Sequence, residues 1–264
     1  MMLDEKSAVV PPILPDTPVV LILMGASNLS RGCFALSRFM KVCLYPRKVQ
    51  VLIATGPGRA YHAFGGLLSV KYPPIESSEL FEKAQEQAES GAQIIALVTD
   101  IGNDIMYGVP TGELITTLER VFERLQSLHS KIFYTPLPVA SEEGIHPLTF
   151  YILRTLLFPY SRVPYDTAMA GIIEVNRFLR ESACRYGTMI PATEQFLGMD
   201  KIHYGWLRGH LAWSHVGKAM LESLGIDVAR DITLPGMLQS YWEEFRQVVG
   251  VDIMGFKKKK PEHF

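Results

Sequence analysis

Short apolar runs alternate with longer amphipathic stretches along this chain. The runs are rich in β-branched residues and too short for helices, so they predict buried strands over 18–24, 48–55, 93–100, 131–138 and 188–192. The stretches between them carry apolar residues at helical spacing, which predicts helices over 33–43, 78–91, 112–129, 166–186, 214–225 and 236–249. At the helix ends, Asp166 and Ser214 are expected to be N-caps, and Gly91 and Gly187 are expected to end helices.

This alternation of strands and helices determines the expected fold class. Strands separated by helices indicate βαβ units and therefore a parallel sheet of an α/β protein. A parallel sheet is buried on both faces, which accounts for the continuous apolar runs. Ligands of such folds bind beyond the carboxyl ends of the strands, so the residues just after each strand are the candidates for function.

Chemically useful residues follow the predicted strands. The segment Gly25-Ala26-Ser27-Asn28 follows the first strand, 55–60 (TGPGRA) follows the second, and 100–104 (DIGND) follows the third. An Asp-x-x-His pair lies at 200–203, late in the chain. A serine, bare glycine amides, an asparagine amide and a histidine with an acidic partner are the groups that acyl transfer needs.

These four segments, in this order, resemble the SGNH hydrolases, also called GDSL-type esterases. The resemblance implies that Ser27 is the nucleophile, that His203 is the general base and that Asp200 orients this histidine. It also implies an oxyanion hole made by the backbone amides of Ser27 and Gly58 and by the side-chain amide of Asn103. No cofactor and no metal are expected.

The resemblance covers residues 18 to about 225 of the 264-residue chain. It implies a three-layer α/β/α sandwich with a flavodoxin-like parallel sheet of about five strands. No linker or repeat divides the sequence, so 1–264 is expected to be a single domain that ends in a C-terminal helix and a lysine-rich tail over 236–264.

The chain departs from the family pattern at three places. Ala26 stands where the family has the aspartate of Gly-Asp-Ser, and that aspartate can accept backbone hydrogen bonds. The stretch 204–213 is inserted between the Asp-x-x-His pair and the next helix, where it can shape the acyl pocket or displace His203. Thr55 stands in the region where the family often has an asparagine.

Several positions have a second interpretation. Ser27 alone reads as a turn or cap residue, and Ser30 is its local rival as nucleophile. His210 is the rival base if the insertion shifts the register. The histidines at 203, 210 and 215 do not have the i, i+4 spacing of a zinc-binding helix, so a metal site is disfavoured.

The glycine segment has neither the G-x-G-x-x-G spacing of dinucleotide-binding proteins nor the Gly-Lys-Ser/Thr of a P-loop. Gly56 and Gly58 can instead form a tight turn around Pro57. Arg59, Tyr61 and His62 either line a substrate entrance or belong to the loop surface. Asp100 and Asp104 are expected to accept hydrogen bonds from backbone amides.

Composition and charge exclude some classes of protein. A net charge of −1 disfavours nucleic-acid binding, and Lys257–Lys260 reads as a solvated tail. Three scattered cysteines are too few for a disulfide framework. The N-terminal sequence lacks the basic region of a secretory signal and no run of 18 apolar residues occurs, so a cytoplasmic protein without a membrane span is expected.

We therefore expect a serine hydrolase that cleaves a small-molecule ester or related acyl bond through an acyl-enzyme. An inactive binding or scaffold protein with the same fold, and an acyltransferase with the same site, remain alternatives. The segment 139–165 is rich in Leu, Phe, Tyr and Pro. It can be a lid or wall over the site, a packed excursion of the core or an oligomer contact, and the oligomeric state is left open.

Overall fold

A parallel β-sheet forms the centre of the computed structural model, which describes residues 17–66, 70–138, 144–191, 193–256 and 262–264. All its strand pairs are parallel, and the strand order is β5-β4-β3-β1-β2-β6. The strands are β1 Val19–Met24, β2 Val49–Ala54, β3 Gln93–Val98, β4 Lys131–Tyr134, β5 Thr188–Met189 and β6 Glu262–His263.

The five strands that the sequence predicts lie in the order 2-1-3-4-5, which is the flavodoxin-like arrangement. β6 was not predicted: it adds two residues to the free edge of β2. β2 pairs with one side of β1, and β3, the next strand along the chain, pairs with its other side. The carboxyl ends of β1 and β3 therefore flank a topological switch point, where a crevice for ligands is expected.

Helices cover both faces of the sheet, so the predicted three-layer α/β/α fold is confirmed. Alternate residues of β1, β2, β3 and β4 belong to two separate apolar clusters. One cluster includes α2, α4 and α6, and the other includes α1, α7 and α8. The helices are α1 Ser27–Cys43, α2 Leu80–Glu89, α3 Asn103–Met106, α4 Thr111–Ser127, α5 Pro147–Leu157, α6 Tyr165–Glu181, α7 Gly209–Ser223 and α8 Leu234–Phe245.

Both predicted N-caps are wrong. α6 follows Pro164, and Asp166 lies within its first turn without capping it. α7 begins at Gly209, so Ser214 lies inside the helix, where its buried hydroxyl accepts the backbone N–H of Ile232 at 2.7 Å. The inserted stretch 204–213 thus supplies the first turns of α7.

Other boundaries also differ from the sequence prediction. α1 begins at Ser27 rather than at residue 33, and the short helix α3 was not predicted. α5 lies within the segment 139–165, of which residues 139–143 are outside the described part. Lys257–Lys260 are outside it as well. None of the described helices is long and apolar enough to cross a membrane.

Candidate active site

Ser27 is the first residue of α1 and follows the carboxyl end of β1 by three residues. The turn between them is tight: the N–H of Gly25 donates to the carbonyl of Ala54 at 3.1 Å. A Cβ on Gly25 would lie 2.8 Å from the side chain of Thr99, so a larger residue does not fit without a shift. The turn places the Ser27 hydroxyl over the edge of the sheet, at the switch point.

Asp100, just after β3, caps α1 from another part of the chain. Its Oδ2 accepts the backbone N–H of Leu29 at 2.8 Å and that of Ala26 at 3.2 Å. Ala26 occupies the N-cap position and has no side-chain oxygen to accept these hydrogen bonds. Asp100 therefore performs the hydrogen-bonding role that an aspartate at position 26 can have.

Thr55 holds the other side of the same turn. Its hydroxyl donates to the carbonyl of Ala26 at 2.9 Å, and both residues are buried. The turn before Ser27 is therefore fixed by residues that follow β2 and β3. The departures from the family at Ala26 and Thr55 are thus part of one connected arrangement.

Asp200 and His203 lie in a compact turn before α7. Asp200 Oδ1 accepts the backbone N–H groups of Ile202 at 3.0 Å and His203 at 2.9 Å. Lys201, which lies between Asp200 and Ile202, has a φ of +58°, a left-handed conformation that is unfavourable for most side chains. Asp200 Oδ2 lies 2.7 Å from His203 Nδ1, and His203 Nε2 lies 2.9 Å from Ser27 Oγ.

The charge of Asp200 fixes the direction of these hydrogen bonds. Burial alone would raise the pKa of its carboxyl, but hydrogen bonds from the His203 ring and from two backbone amides lower the pKa to about 2. An ionised carboxylate accepts hydrogen bonds and does not donate them, so His203 Nδ1 carries the proton. His203 Nε2 is then free to accept the proton of the Ser27 hydroxyl.

Asn28, the neighbour of Ser27, binds the chain on both sides of His203. Its Oδ1 accepts the N–H of Tyr204 at 2.9 Å, and its Nδ2 donates to the carbonyl of Ile202 at 3.2 Å. The same Nδ2 lies 3.2 Å from Asp100 Oδ1. One buried side chain thus joins α1, the β3 tip and the loop of the candidate base.

Two of the three predicted oxyanion donors border the same cavity. Ser27 and Asn103 line it together. Among the described residues the backbone N–H of Ser27 makes no hydrogen bond, as is usual for the first N–H groups of a helix. Asn103 Nδ2 donates to the carbonyl of Arg59 at 2.8 Å, which orients the amide and leaves its second hydrogen available.

Gly58 has the backbone conformation of a specialised turn. Its φ is +75°, and a Cβ there would lie 2.6 Å from the carbonyl oxygen of Gly66. The hydroxyl of Tyr107 donates to the Gly58 carbonyl at 2.7 Å. Gly58 is not among the described residues that line the cavity at Ser27, and its role as an oxyanion donor stays a prediction.

Asp104 anchors the loop that follows Gly58. This fully buried carboxylate accepts the backbone N–H groups of Tyr61 at 2.8 Å and of His62 and Ala63 at 2.9 Å each. Burial raises its pKa, although these hydrogen bonds oppose the change. Arg59 and Tyr61 are themselves buried, so the interpretation that they belong to the loop surface is wrong, and neither is among the described residues that line the cavity at Ser27.

The rival candidates lie elsewhere. Ser30 is buried on α1 and faces a different cavity, which Glu244 also lines. His210 and His215 lie on α7, and each has one buried ring nitrogen without a hydrogen-bond partner. The histidine that reaches Ser27 is His203.

No protein-family model matches the chain, and no curated protein sequence matches it. Solved structures with a similar fold include a member of the lipolytic G-D-S-L family from Veillonella parvula, which is 12% identical to this chain. The aligned part covers 77% of this chain and 97% of that protein, with a TM-score of 0.46. A GDSL-like lipase from Bacteroides thetaiotaomicron is 11% identical with a TM-score of 0.47, covering 77% of this chain and 88% of its own.

An acetyl xylan esterase from Geobacillus stearothermophilus is also 11% identical, over 82% of this chain and the full length of its own, with a TM-score of 0.47. Two of these three structures carry the name of the family that the sequence motifs resemble. Such identities and TM-scores are too low to carry an activity from those proteins to this chain.

Proposed function

We propose that this chain is a serine hydrolase that cleaves an ester or a related acyl bond through an acyl-enzyme on Ser27. The observation that carries the proposal is a continuous chain of hydrogen bonds. Ser27 Oγ lies 2.9 Å from His203 Nε2, and His203 Nδ1 lies 2.7 Å from Asp200 Oδ2. A hydroxyl, an imidazole and an ionised carboxylate in this order can activate a nucleophile without a metal or cofactor.

Acylation begins when Ser27 Oγ attacks the substrate carbonyl carbon and His203 Nε2 takes the hydroxyl proton. The carbonyl oxygen becomes an oxyanion, and we assign its binding to the Ser27 N–H, the Asn103 amide and the Gly58 N–H. When the tetrahedral intermediate collapses, the bond to the leaving group breaks and the leaving oxygen takes the proton from His203. Asp200 stabilises the imidazolium between these two transfers.

Deacylation repeats these steps with water. His203 Nε2 removes a proton from a water molecule, and the resulting hydroxide adds to the acyl carbon. The bond between that carbon and Ser27 Oγ then breaks, Oγ recovers the proton from His203, and the carboxylic acid leaves. If another alcohol replaced water in this step, the same site would perform acyl transfer.

An inactive protein of the same fold is the alternative that Ala26 and the insertion 204–213 raise, because both depart from the family pattern. The absence of an aspartate at position 26 is compensated by Asp100, which accepts the hydrogen bonds of this turn. The insertion 204–213 leaves His203 within hydrogen-bond distance of Ser27. Both observations support the catalytic proposal over the scaffold alternative.

Labelling with a fluorophosphonate probe tests the proposal. The probe is expected to modify the wild-type chain at Ser27, and Ser27→Ala is expected to abolish both labelling and the hydrolysis of nitrophenyl esters. Ser30→Ala is the matched control, because Ser30 is a buried serine of the same helix that faces another cavity. Labelling that persists in Ser27→Ala would overturn the assignment.

A further inference from the structure

Arg59, in the loop after β2, is a buried cation whose side chain the proposed mechanism does not use. The residue is only 1% exposed, and burial lowers the pKa of its guanidinium to about 10. The side chain is therefore still protonated at neutral pH, and a buried charge is costly unless hydrogen-bond acceptors surround it. The acceptors of Arg59 thus determine where its side chain lies.

These acceptors belong to two other segments of the chain. Nε of Arg59 donates to the carbonyl of Pro73 at 3.2 Å, and Nη1 donates to the carbonyl of Phe264. The guanidinium carbon lies 5.9 Å from the centre of the Tyr72 ring, and the Tyr72 hydroxyl donates to Asp252 Oδ2 at 2.6 Å. The Arg59 side chain therefore joins the loop after β2 to segments that follow it at short and at long range.

The strand β6 fixes the acceptor at Phe264. β6 extends the sheet beside β2, and the N–H of Phe264 donates to the carbonyl of Ile53 at 2.9 Å. The Phe264 side chain packs against the apolar cluster that includes α2, α4 and α6. The short strand that the sequence did not predict thus positions the carbonyl that holds the Arg59 guanidinium.

The backbone of Arg59 contacts the predicted oxyanion donors. Its N–H donates to the carbonyl of Gly56 at 3.1 Å, which closes a turn with Pro57 and Gly58 at its centre. Proline followed by a glycine with positive φ is typical of a type II turn. The Arg59 carbonyl accepts Nδ2 of Asn103 at 2.8 Å. One residue therefore connects β6 to the Gly58 turn and to the Asn103 amide.

We propose that Arg59 is a positioning residue for the Asn103 amide and that the Phe264 carbonyl beside β6 is its anchor; this inference rests on the function proposed above. The anchored side chain fixes the Arg59 backbone, and the Arg59 carbonyl holds one hydrogen of the amide while the other is left for the oxyanion. Without the anchor, the loop shifts and the amide loses its orientation. Such a loss lowers kcat rather than raising KM, because the oxyanion forms only during the reaction.

Arg59→Met tests the proposal, because methionine fills much of the same space without a charge or a donor. We expect kcat to fall about 10- to 100-fold with KM within about twofold of wild type. The loss should be equal for nitrophenyl acetate, butyrate and octanoate, since the oxyanion is common to them. Arg59→Lys keeps the charge and should lose less. Nη2 of Arg59 has no hydrogen-bond partner among the described residues, so loss of the guanidinium is compatible with folding.

Arg124→Met is the matched control. Arg124 also donates to a backbone carbonyl, that of Glu76 at 2.6 Å, and its guanidinium lies 3.9 Å from the centre of the Phe81 ring. Neither Arg124 nor these partners is among the described residues that line the cavity at Ser27. This variant should keep kcat within about twofold of wild type.

A double-mutant cycle separates positioning from a general loss of structure. In the Asn103→Ala background, Arg59→Met should lower kcat by less than about threefold, because the amide that Arg59 positions is gone. An undiminished loss in that background, or an unchanged kcat when Arg59→Met is made in the wild-type chain, would overturn the inference and leave the serine hydrolase standing.

The anchor is tested at Phe264. Phe264→Pro removes the N–H that binds Ile53, whereas Phe264→Ala removes the ring and keeps this N–H. We expect kcat of Phe264→Pro to be at least about threefold below that of Phe264→Ala. Equal values would contradict the anchoring by β6.

The side-chain amide signals of Asn103 in a ¹⁵N–¹H spectrum decide the inference even if no ester is hydrolysed. Arg59→Met should shift or broaden these signals, and Arg124→Met should leave them as in wild type. Signals that are unchanged in Arg59→Met would refute the positioning role. Changed signals without hydrolysis of any ester would count against the proposed function alone.

Discussion

Asn28 Oδ1 accepts the backbone N–H of Tyr204 at 2.9 Å, so the residue after the candidate nucleophile holds the residue after the candidate base. The Nδ2 of Asn28 donates to Ile202 on the other side of His203. Ser27 and His203 are 176 residues apart in the chain, yet this one amide ties their backbones together. Asn28 therefore acts as a positioning residue for the pair.

Asn28→Ala is expected to lower kcat by about 10- to 100-fold with little change in KM, since a misplacement of about 1 Å can cost about 100-fold. Asn28→Asp should be at least as damaging, because it removes both donated hydrogen bonds and adds a carboxylate beside Asp100. Steady-state kinetics below the melting temperature of each variant checks this. An unchanged kcat in a folded Asn28→Ala protein would contradict the positioning role.

The turn before Ser27 gives a second prediction, which concerns stability. Asp100→Ala leaves the N–H groups of Ala26 and Leu29 without their acceptor, so we expect a loss of about 1–2 kcal/mol in the free energy of unfolding. Urea denaturation measures this loss. Asp166→Ala is the control, since Asp166 is exposed and makes no cap, and it should change stability by less than about 0.5 kcal/mol.

Ala26→Asp, which restores the family's aspartate, should destabilise the wild-type chain. Ala26 is buried and its N–H already binds Asp100, so a new carboxylate would lie beside an existing one. In the Asp100→Ala background this repulsion is absent, and the new carboxylate can accept the free backbone N–H groups. The double variant is therefore expected to be more stable than the sum of the two single changes implies, which a double-mutant cycle measures.

The sequence predicted the five main strands because they are short, β-branched and buried on both faces. It also placed the candidate site at the strand ends, where parallel topology brings distant segments together. The start of α1 at Ser27 was missed because its cap, Asp100, is more than 70 positions away in the chain. Such a tertiary cap leaves no local signal, although Asp100 itself is visible at the tip of the third strand.

The helix α5 was missed for a different reason. Its exposed side carries Leu148, Ile152 and Leu156, while Phe150 and Leu153 face the cavity. A helix that is apolar on both sides lacks the periodic alternation from which amphipathic helices are predicted. The hydrogen bonds of Asn28 to Ile202 and Tyr204 were missed as well, because these partners lie in a loop whose position follows only from the packing of the whole fold.

Asp200 gives a prediction for catalysis. Asp200→Asn retains an oxygen for the backbone amides of Ile202 and His203, but its NH₂ group would face His203 Nδ1. This stabilises the tautomer that carries the proton on Nε2, which cannot accept a proton from Ser27. We expect kcat to fall by about 10⁴-fold while the fold is preserved. A residual activity above about 10% of wild type in a nitrophenyl ester assay would contradict the orienting role.

The same residue makes stability depend on pH. Because the pKa of Asp200 is lowered from 3.8 to about 2 in the folded protein, its contribution is present above pH 3.8 and is lost as pH falls towards 2. Asp200→Asn lacks this contribution at every pH. The difference in unfolding free energy between wild type and Asp200→Asn should therefore shrink between pH 5 and pH 2, as measured by urea denaturation. A difference that stays constant over this range would contradict the lowered pKa.

Asn103 provides the test of the oxyanion hole. Its amide is oriented by the Arg59 carbonyl and borders the cavity beside Ser27. Asn103→Ala removes one donor to the oxyanion, and such a loss typically lowers kcat by about 100- to 1,000-fold with little effect on KM. Asn103→Asp should be more severe, since a carboxylate would repel the developing negative charge. If Asn103→Ala turns over nitrophenyl octanoate at the wild-type rate, the stabilising donors must lie elsewhere in the site.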